Sequence, residues 1–244
     1  MNAQQSDESI KGFQLLVRKP QELTAEDRRV IAAIFDAAYA QANQAYLDAS
    51  IEHIGRIAFA LTEDGEPAAF AVGRTRWMAL PGFDERQLVA LHGMRATAPA
   101  FRHRGLIGAL AQALSRAAAP ELGQHEGVRL LGCGRHGHAS RPGEMTEGND
   151  VPWPGRVPTP WQQAVGLAVA EAYGSDLDPT TFVCRGSGTP IGVPNVHFEA
   201  SDGEQQVYAP VRRERGDNLL VINWTPNPPE GWADPDWPDG QSQA

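Results

Sequence analysis

The sequence predicts an α/β fold in which a central mixed sheet is flanked by helices. Three observations carry this prediction. Apolar runs of strand length alternate with segments whose apolar residues recur every three or four positions. Two early runs flank Asp64-Gly65, a turn dipeptide that joins antiparallel strands. In the middle of the chain an apolar run enters a glycine-containing turn, then an amphipathic helix, then a second apolar run. That order is a βαβ unit and implies parallel strands.

The elements follow in order. Residues 1–11 are polar, lack the apolar stretch of a secretory signal and read as a disordered leader. The folded domain is expected over 12–225. Residues 13–17 (FQLLV) make a first strand. Thr24, with Asp27 three residues on, caps a helix carrying Val30, Ile31, Ile34, Phe35 and Ala38 at helical spacing. A second helix covers 44–54. Residues 56–61 and 67–74 form the hairpin, and 87–94 (QLVALHGM) is apolar nearly throughout, as a central strand is. Pro99 ends that strand. Leu106, Ile107, Leu110 and Leu114 mark a helix that stops near Pro120.

Residues 128–133 form the next buried strand. The segment 135–158 is poor in apolar residues and rich in Gly and Pro, so it reads as a loop insertion with a functional or disordered character. Thr159-Pro160 supplies a cap and a first-turn proline for a helix with Trp161, Ala164, Val165, Ala168 and Ala172. Strands are expected at 181–185, 206–211 and 218–224, with Arg215-Gly216-Asp217 as a turn. Residues 226–244 form an acidic tail rich in Pro and Trp, expected to be loosely docked.

Composition narrows the function classes. The 244 residues carry a net charge of −9, and the four acidic residues after Pro226 meet no basic one. Phosphate neutralisation of nucleic acid is disfavoured. No apolar run reaches the length of a membrane span. Two cysteines, Cys133 and Cys184, cannot build a disulfide scaffold, and reduced thiols suit a cytoplasmic protein.

Chemistry concentrates in 91–114 (LHGMRATAPAFRHRGLIGALAQAL). Gly105 lets the backbone turn tightly and approach a ligand. The first N–H groups of the following helix have no intrahelical partner, and the helix dipole favours an anion there. A pyrophosphate suits this place, with Arg102 and Arg104 as charged partners. A plain alternative is two solvated arginines at a helix start.

Pro99-x-x-Arg102-x-x-Gly105 before an amphipathic helix resembles the pyrophosphate motif Gln/Arg-x-x-Gly-x-Gly/Ala of the GNAT N-acetyltransferase superfamily. The order of elements over 13–224 is similar to that family as well. The last motif position departs from the pattern: it holds Ile107, with Gly108 after it. The resemblance implies that backbone amides of Arg102, His103, Arg104, Gly105, Leu106, Ile107 and Gly108 hold coenzyme A. It implies that the backbone of Arg95, Ala96 and Thr97 pairs with the pantetheine arm. It also implies acetyl transfer from acetyl-CoA to a primary amine of a small molecule, and it leaves room for a homodimer. His92, on the strand before the motif, is the candidate base, with a satisfied core histidine as the alternative. Tyr173, in Ala-Val-Ala-Glu-Ala-Tyr, is the candidate acid, with packing as the alternative. Glu171 and Glu199 are weaker candidates.

Two other classes stay open. The chain is either catalytic or a coenzyme A-binding or interaction protein on the same fold. Cys133, His136 and His138, with Glu144 and Asp150 following, also suggest a metal-dependent hydrolase. No second cluster has metal-ligand spacing, so no metal is expected.

Overall fold

The computed structural model describes residues 10–123, 127–137, 145–186, 191–196 and 200–235. In chain order the elements are β1 (Phe13–Arg18), α1 (Ala25–Ala38), β2 (Tyr39–Ala40), α2 (Gln44–Ile54), β3 (Arg56–Thr62), β4 (Pro67–Met78), β5 (Gln87–Thr97), α3 (Leu106–Leu122), β6 (Leu130–His136), α4 (Pro160–Ala172), β7 (Asp176–Asp178), β8 (Val183–Arg185), β9 (Val193–Pro194), α5 (Asp202–Tyr208) and β10 (Asn218–Thr225). The mixed α/β class is therefore the observed one. Among the described residues no helix is long and apolar enough to cross a membrane.

The chain forms two compact units. One comprises Met1–Thr75, His92–Gln124 and Ile191–His197, the other Arg76–Leu91, His125–Pro190 and Phe198–Ala244.

In the first unit the strand order is β1-β3-β4-β5. β1 and β3 are antiparallel from Phe13↔Thr62 to Arg18↔Ile57. β3 and β4 form the expected hairpin, with a bulge between Ala60 and Leu61. Alternation along these strands divides two cores. Ile57, Phe59, Phe70, Val72, Met94 and Ala96 pack with the apolar stripes of α1 and α2. Ala58, Ala60, Ala69 and Ala71 pack with Leu106, Leu110 and Leu114 of α3. The second face is built of alanines, whose short side chains let α3 sit close to the sheet. Thr24 caps α1 in a reciprocal box with Asp27, as the sequence predicts.

α3 ends near Pro120, as expected: it runs to Leu122, and Gly123, at φ 72°, ends it. A proline so near the end forfeits one hydrogen bond, while Glu121 holds the last turn to Lys19 at 3.1 Å and to Arg56 at 2.5 Å.

In the second unit the order is β5-β6-β10-β8-β7. β6 and β10 are antiparallel from Leu130↔Thr225 to His136↔Leu219. β6 starts two residues later than expected and carries His136 as its last residue. The strand expected at 206–211 does not form: residues 206–208 end α5, which Ser201 and Glu204 open with a reciprocal cap, and 209–211 lie beyond it. Two hydrogen bonds that fix a first helical turn outweigh a short alternating pattern.

Trp161, Trp224, Trp232 and Phe83 form an aromatic cluster. Centroid separations are 5.3 Å for Trp161 and Trp232, and 5.7 Å for Trp224 and Trp232. Phe83 meets Trp161 at 5.3 Å and Trp224 at 5.5 Å. Trp232 is 1% exposed, so this core reaches beyond residue 225 into the segment expected to dock loosely. Residues 145–158 are also fastened. Val151 exchanges both backbone hydrogen bonds with Ile222, at 3.0 and 2.9 Å, and Asn149 does the same for Trp224 through its side chain.

Candidate functional site

The turn between β5 and α3 is built from the bottom by Phe101. This ring is buried and meets Phe13 edge-on at 5.8 Å. A short 3-10 turn, Pro99–Phe101, carries the chain out of the sheet. His103 and Gly105 then adopt left-handed backbone, at φ 63° and 73°, and Gly105 becomes the N-cap of α3. Glycine cannot cap with a side chain, and α3 has no acidic residue in its first turn. The first helical bond is Ala109 N–H to Gly105 O at 3.2 Å. Among the described residues no backbone N–H from 103 to 108 donates to a protein acceptor. These amides form one run at the positive end of a helix dipole.

The space beside them is open. A Cβ placed on Gly105 or on Gly108 would meet nothing within 4 Å. Arg104 lies over Phe101 and Phe13, 5.4 and 5.8 Å from the ring centroids. Its charge is thereby held beside the turn. The chemistry of this donor set fits a diphosphate: backbone N–H groups, no competing carboxylate in the first turn, two guanidinium groups and glycines at the points of closest approach.

Arg102 has a partner the sequence gives no sign of. Its Nη1 donates to Asn195 O at 2.9 Å, across 93 residues of chain. Asn195 belongs to a strap, 191–196, that crosses the end of α1. β9 pairs with β2, Asn195 N–H donates to Ala38 O at 2.8 Å, Asn195 Nδ2 to Ala37 O at 3.2 Å, and Asn43 N–H to Ile191 O at 2.9 Å.

His92 lies on β5 in the same unit, half-buried. Burial first, and then the nearby charge of Arg95, lower its pKa from 6.5 to about 4. Of the other candidates on β5, Ala96 is buried and packs toward α1 and α2, while Arg95 and Thr97 are half-buried. Tyr39, on β2, is a further member of this neighbourhood. Burial raises its pKa, the Arg95 charge opposes that rise, and Tyr46 adds to it. The sequence shows Tyr39 only as a residue near a helix end.

Tyr173 lies in the second unit, as the residue that closes α4. Its hydroxyl donates to Cys133 O at 2.9 Å, and Arg135 stacks on its ring at 4.7 Å. Arg135 in turn donates to Ser175 Oγ at 2.6 Å. These contacts pack the end of α4 against β6. Glu171 is exposed on α4. Cys133 is 1% exposed, and burial raises the pKa of its thiol. Asp150 accepts from Thr146 N–H, and burial raises its pKa. His138, Glu144 and Glu199 lie outside the described residues. Among the described residues no cluster of three His, Cys, Asp or Glu side chains could hold a metal ion.

A concavity of about 370 Å³ in the second unit is lined in part by Asp150, Trp153, Arg156 and Gln162. Its polar groups are largely engaged. Gln162 Nε2 and Thr159 Oγ1 both donate to Trp232 O, at 2.9 and 3.3 Å, and Arg156 pairs with Glu147.

No family model matches the chain, and no curated protein matches it. Several solved structures are similar to it. One is a GNAT family acetyltransferase from Brucella melitensis in complex with acetyl-CoA. It is 19% identical, with 49% of this chain and 75% of that chain covered and a TM-score of 0.32. A ribosomal-protein-alanine N-acetyltransferase from Escherichia coli is 18% identical over 89% of this chain and 97% of that one, at a TM-score of 0.34. An aminoglycoside antibiotic 6'-N-acetyltransferase from Acinetobacter baumannii is 15% identical over 43% and 71%, at 0.31.

Proposed function

We propose that this chain is an acetyl-CoA-dependent N-acetyltransferase acting on a primary amine of a small molecule. The observation that carries the reading is the run of backbone N–H groups from 103 to 108 that, among the described residues, meet no protein acceptor, with open space beside Gly105 and Gly108. These amides would hold the pyrophosphate of coenzyme A. A thioester supplies an activated acetyl group: the amine nitrogen attacks its carbonyl carbon, a C–N bond forms and the C–S bond breaks. The proton lost by the amine goes to a base, and the departing sulfur takes one from an acid or from water. The backbone of Arg95, Ala96 and Thr97 would lie along the pantetheine arm, where an N–H steadies the charge that develops on oxygen.

For the base we retain His92. Its lowered pKa keeps the ring neutral, with a lone pair available, throughout the neutral range. The same shift makes it a weaker base than an ordinary histidine. For Tyr173 to serve as the acid, its hydroxyl would have to leave Cys133 O.

A second reading is a coenzyme A-binding protein without catalysis. The weak basicity of His92 and the engaged hydroxyl of Tyr173 favour it. Isothermal titration with acetyl-CoA and with free coenzyme A tests what the two readings share. Micromolar affinity that Gly105→Arg removes supports the cradle, and absence of binding to either refutes it. Release of free thiol on adding small amines then separates enzyme from binder.

A further inference from the structure

Asn195 of the strap 191–196 accepts a hydrogen bond from Arg102 of the cradle, and this contact has a consequence for ligand binding. A guanidinium carries five N–H donors in a rigid fork. Arg102 spends an Nη1 donor on Asn195 O. Others remain for an anion at the start of α3. Asn195 is itself fixed twice to the end of α1, through its backbone N–H to Ala38 O and through Nδ2 to Ala37 O. An arginine on an otherwise exposed turn loses much side-chain entropy when it binds an anion. A carbonyl held rigidly by α1 removes part of that cost beforehand.

We infer that Asn195 is a positioning residue for the cradle: it holds Arg102 in the orientation that meets a diphosphate, and the bound anion in turn fastens the strap. This inference rests on the reading of 102–108 as the coenzyme A site. The two effects are one coupling seen from both ends, so each must appear if the other does.

The test is a double-mutant cycle on affinity for free coenzyme A, with wild type, Asn195→Ala, Arg102→Ala and the double variant. Asn195→Ala removes the side-chain anchor on Ala37 O while touching no proposed ligand contact. It is expected to weaken binding about fivefold, and Arg102→Ala about tenfold or more. The double variant should bind no worse than Arg102→Ala alone, because Asn195 acts only through that arginine. Arg102→Lys keeps the charge and loses the fork, so it should become insensitive to Asn195→Ala and serves if Arg102→Ala does not fold. Hydrogen exchange supplies the reciprocal readout. Coenzyme A should slow exchange of the Asn195 amide in wild type and not in Arg102→Ala. Additive losses in the cycle, or Asn195→Ala with wild-type affinity, would overturn the positioning role while leaving the cradle intact. Wild type without affinity for coenzyme A would overturn the cradle itself and this inference with it.

Discussion

At the scale of single residues, Gly105 and His92 make the sharpest predictions. Gly105 sits at φ 73° with open space around it. Gly105→Ala therefore costs about 1 kcal/mol of backbone strain without a clash in the protein. Gly65, at φ 83° and equally open, is the control for that strain. Both alanine variants should lose similar stability in urea, but only Gly105→Ala should lose affinity for coenzyme A. Equal affinities would remove Gly105 from the site. His92 binds its proton near pH 4 when folded and near 6.5 when unfolded. Between these values the unfolded chain holds more protons, so stability falls as pH drops from 6.5 toward 4. The His92 contribution to that fall is about 3 kcal/mol. His92→Asn should flatten this part of the curve, measured as urea midpoints at pH 7 and pH 4.5. An unchanged slope would show that the ring titrates normally.

At the scale of elements, α4 is the best probe. Thr159 accepts from Gln162 N–H, Gln162 reaches back to Thr159 N–H, and both side chains also donate to Trp232 O. Thr159→Ala should cost about 1–2 kcal/mol, since a cap and a tie to the aromatic cluster are lost together. Farther along α4, Gly166 faces Phe182. A Cβ there would come within 2.5 Å of Phe182 Cζ. Although alanine is the better helix former, Gly166→Ala should destabilise by about 1–3 kcal/mol. A stabilised variant in thermal melts would mean that Phe182 can swing aside. α5 offers the complementary lesson. Its signal, Ser201 with Glu204 three residues on, is printed in the sequence, and the apolar pair Val207 and Val211 obscures it.

At the scale of the whole molecule, the second unit depends on a residue near the end of the described chain. Trp232 is buried against Trp161 and Trp224 and accepts two side-chain hydrogen bonds at its carbonyl. Trp232→Ala should cost about 3–5 kcal/mol. Ending the chain at Thr225 should destabilise it further, because Thr159 and Gln162 would then lose their acceptor. A truncated chain that melts at the wild-type temperature would contradict this.

What the sequence determined by itself is what local pattern encodes. Hydrophobic period placed α1, α2, the hairpin, β5 and α4. The cap at Thr24 and the glycine turn at Gly105 were legible because their partners lie within a few residues. The tertiary structure alone decided the rest. Arg102 meets Asn195, Tyr39 meets the charge of Arg95, the Tyr173 hydroxyl donates to Cys133 O, and Trp232 closes a core. Each of these joins groups far apart along the chain, where no period or spacing records the contact. Burial, which lowers the basicity of His92 and raises the thiol of Cys133, is likewise a property of the packed chain and not of the residue.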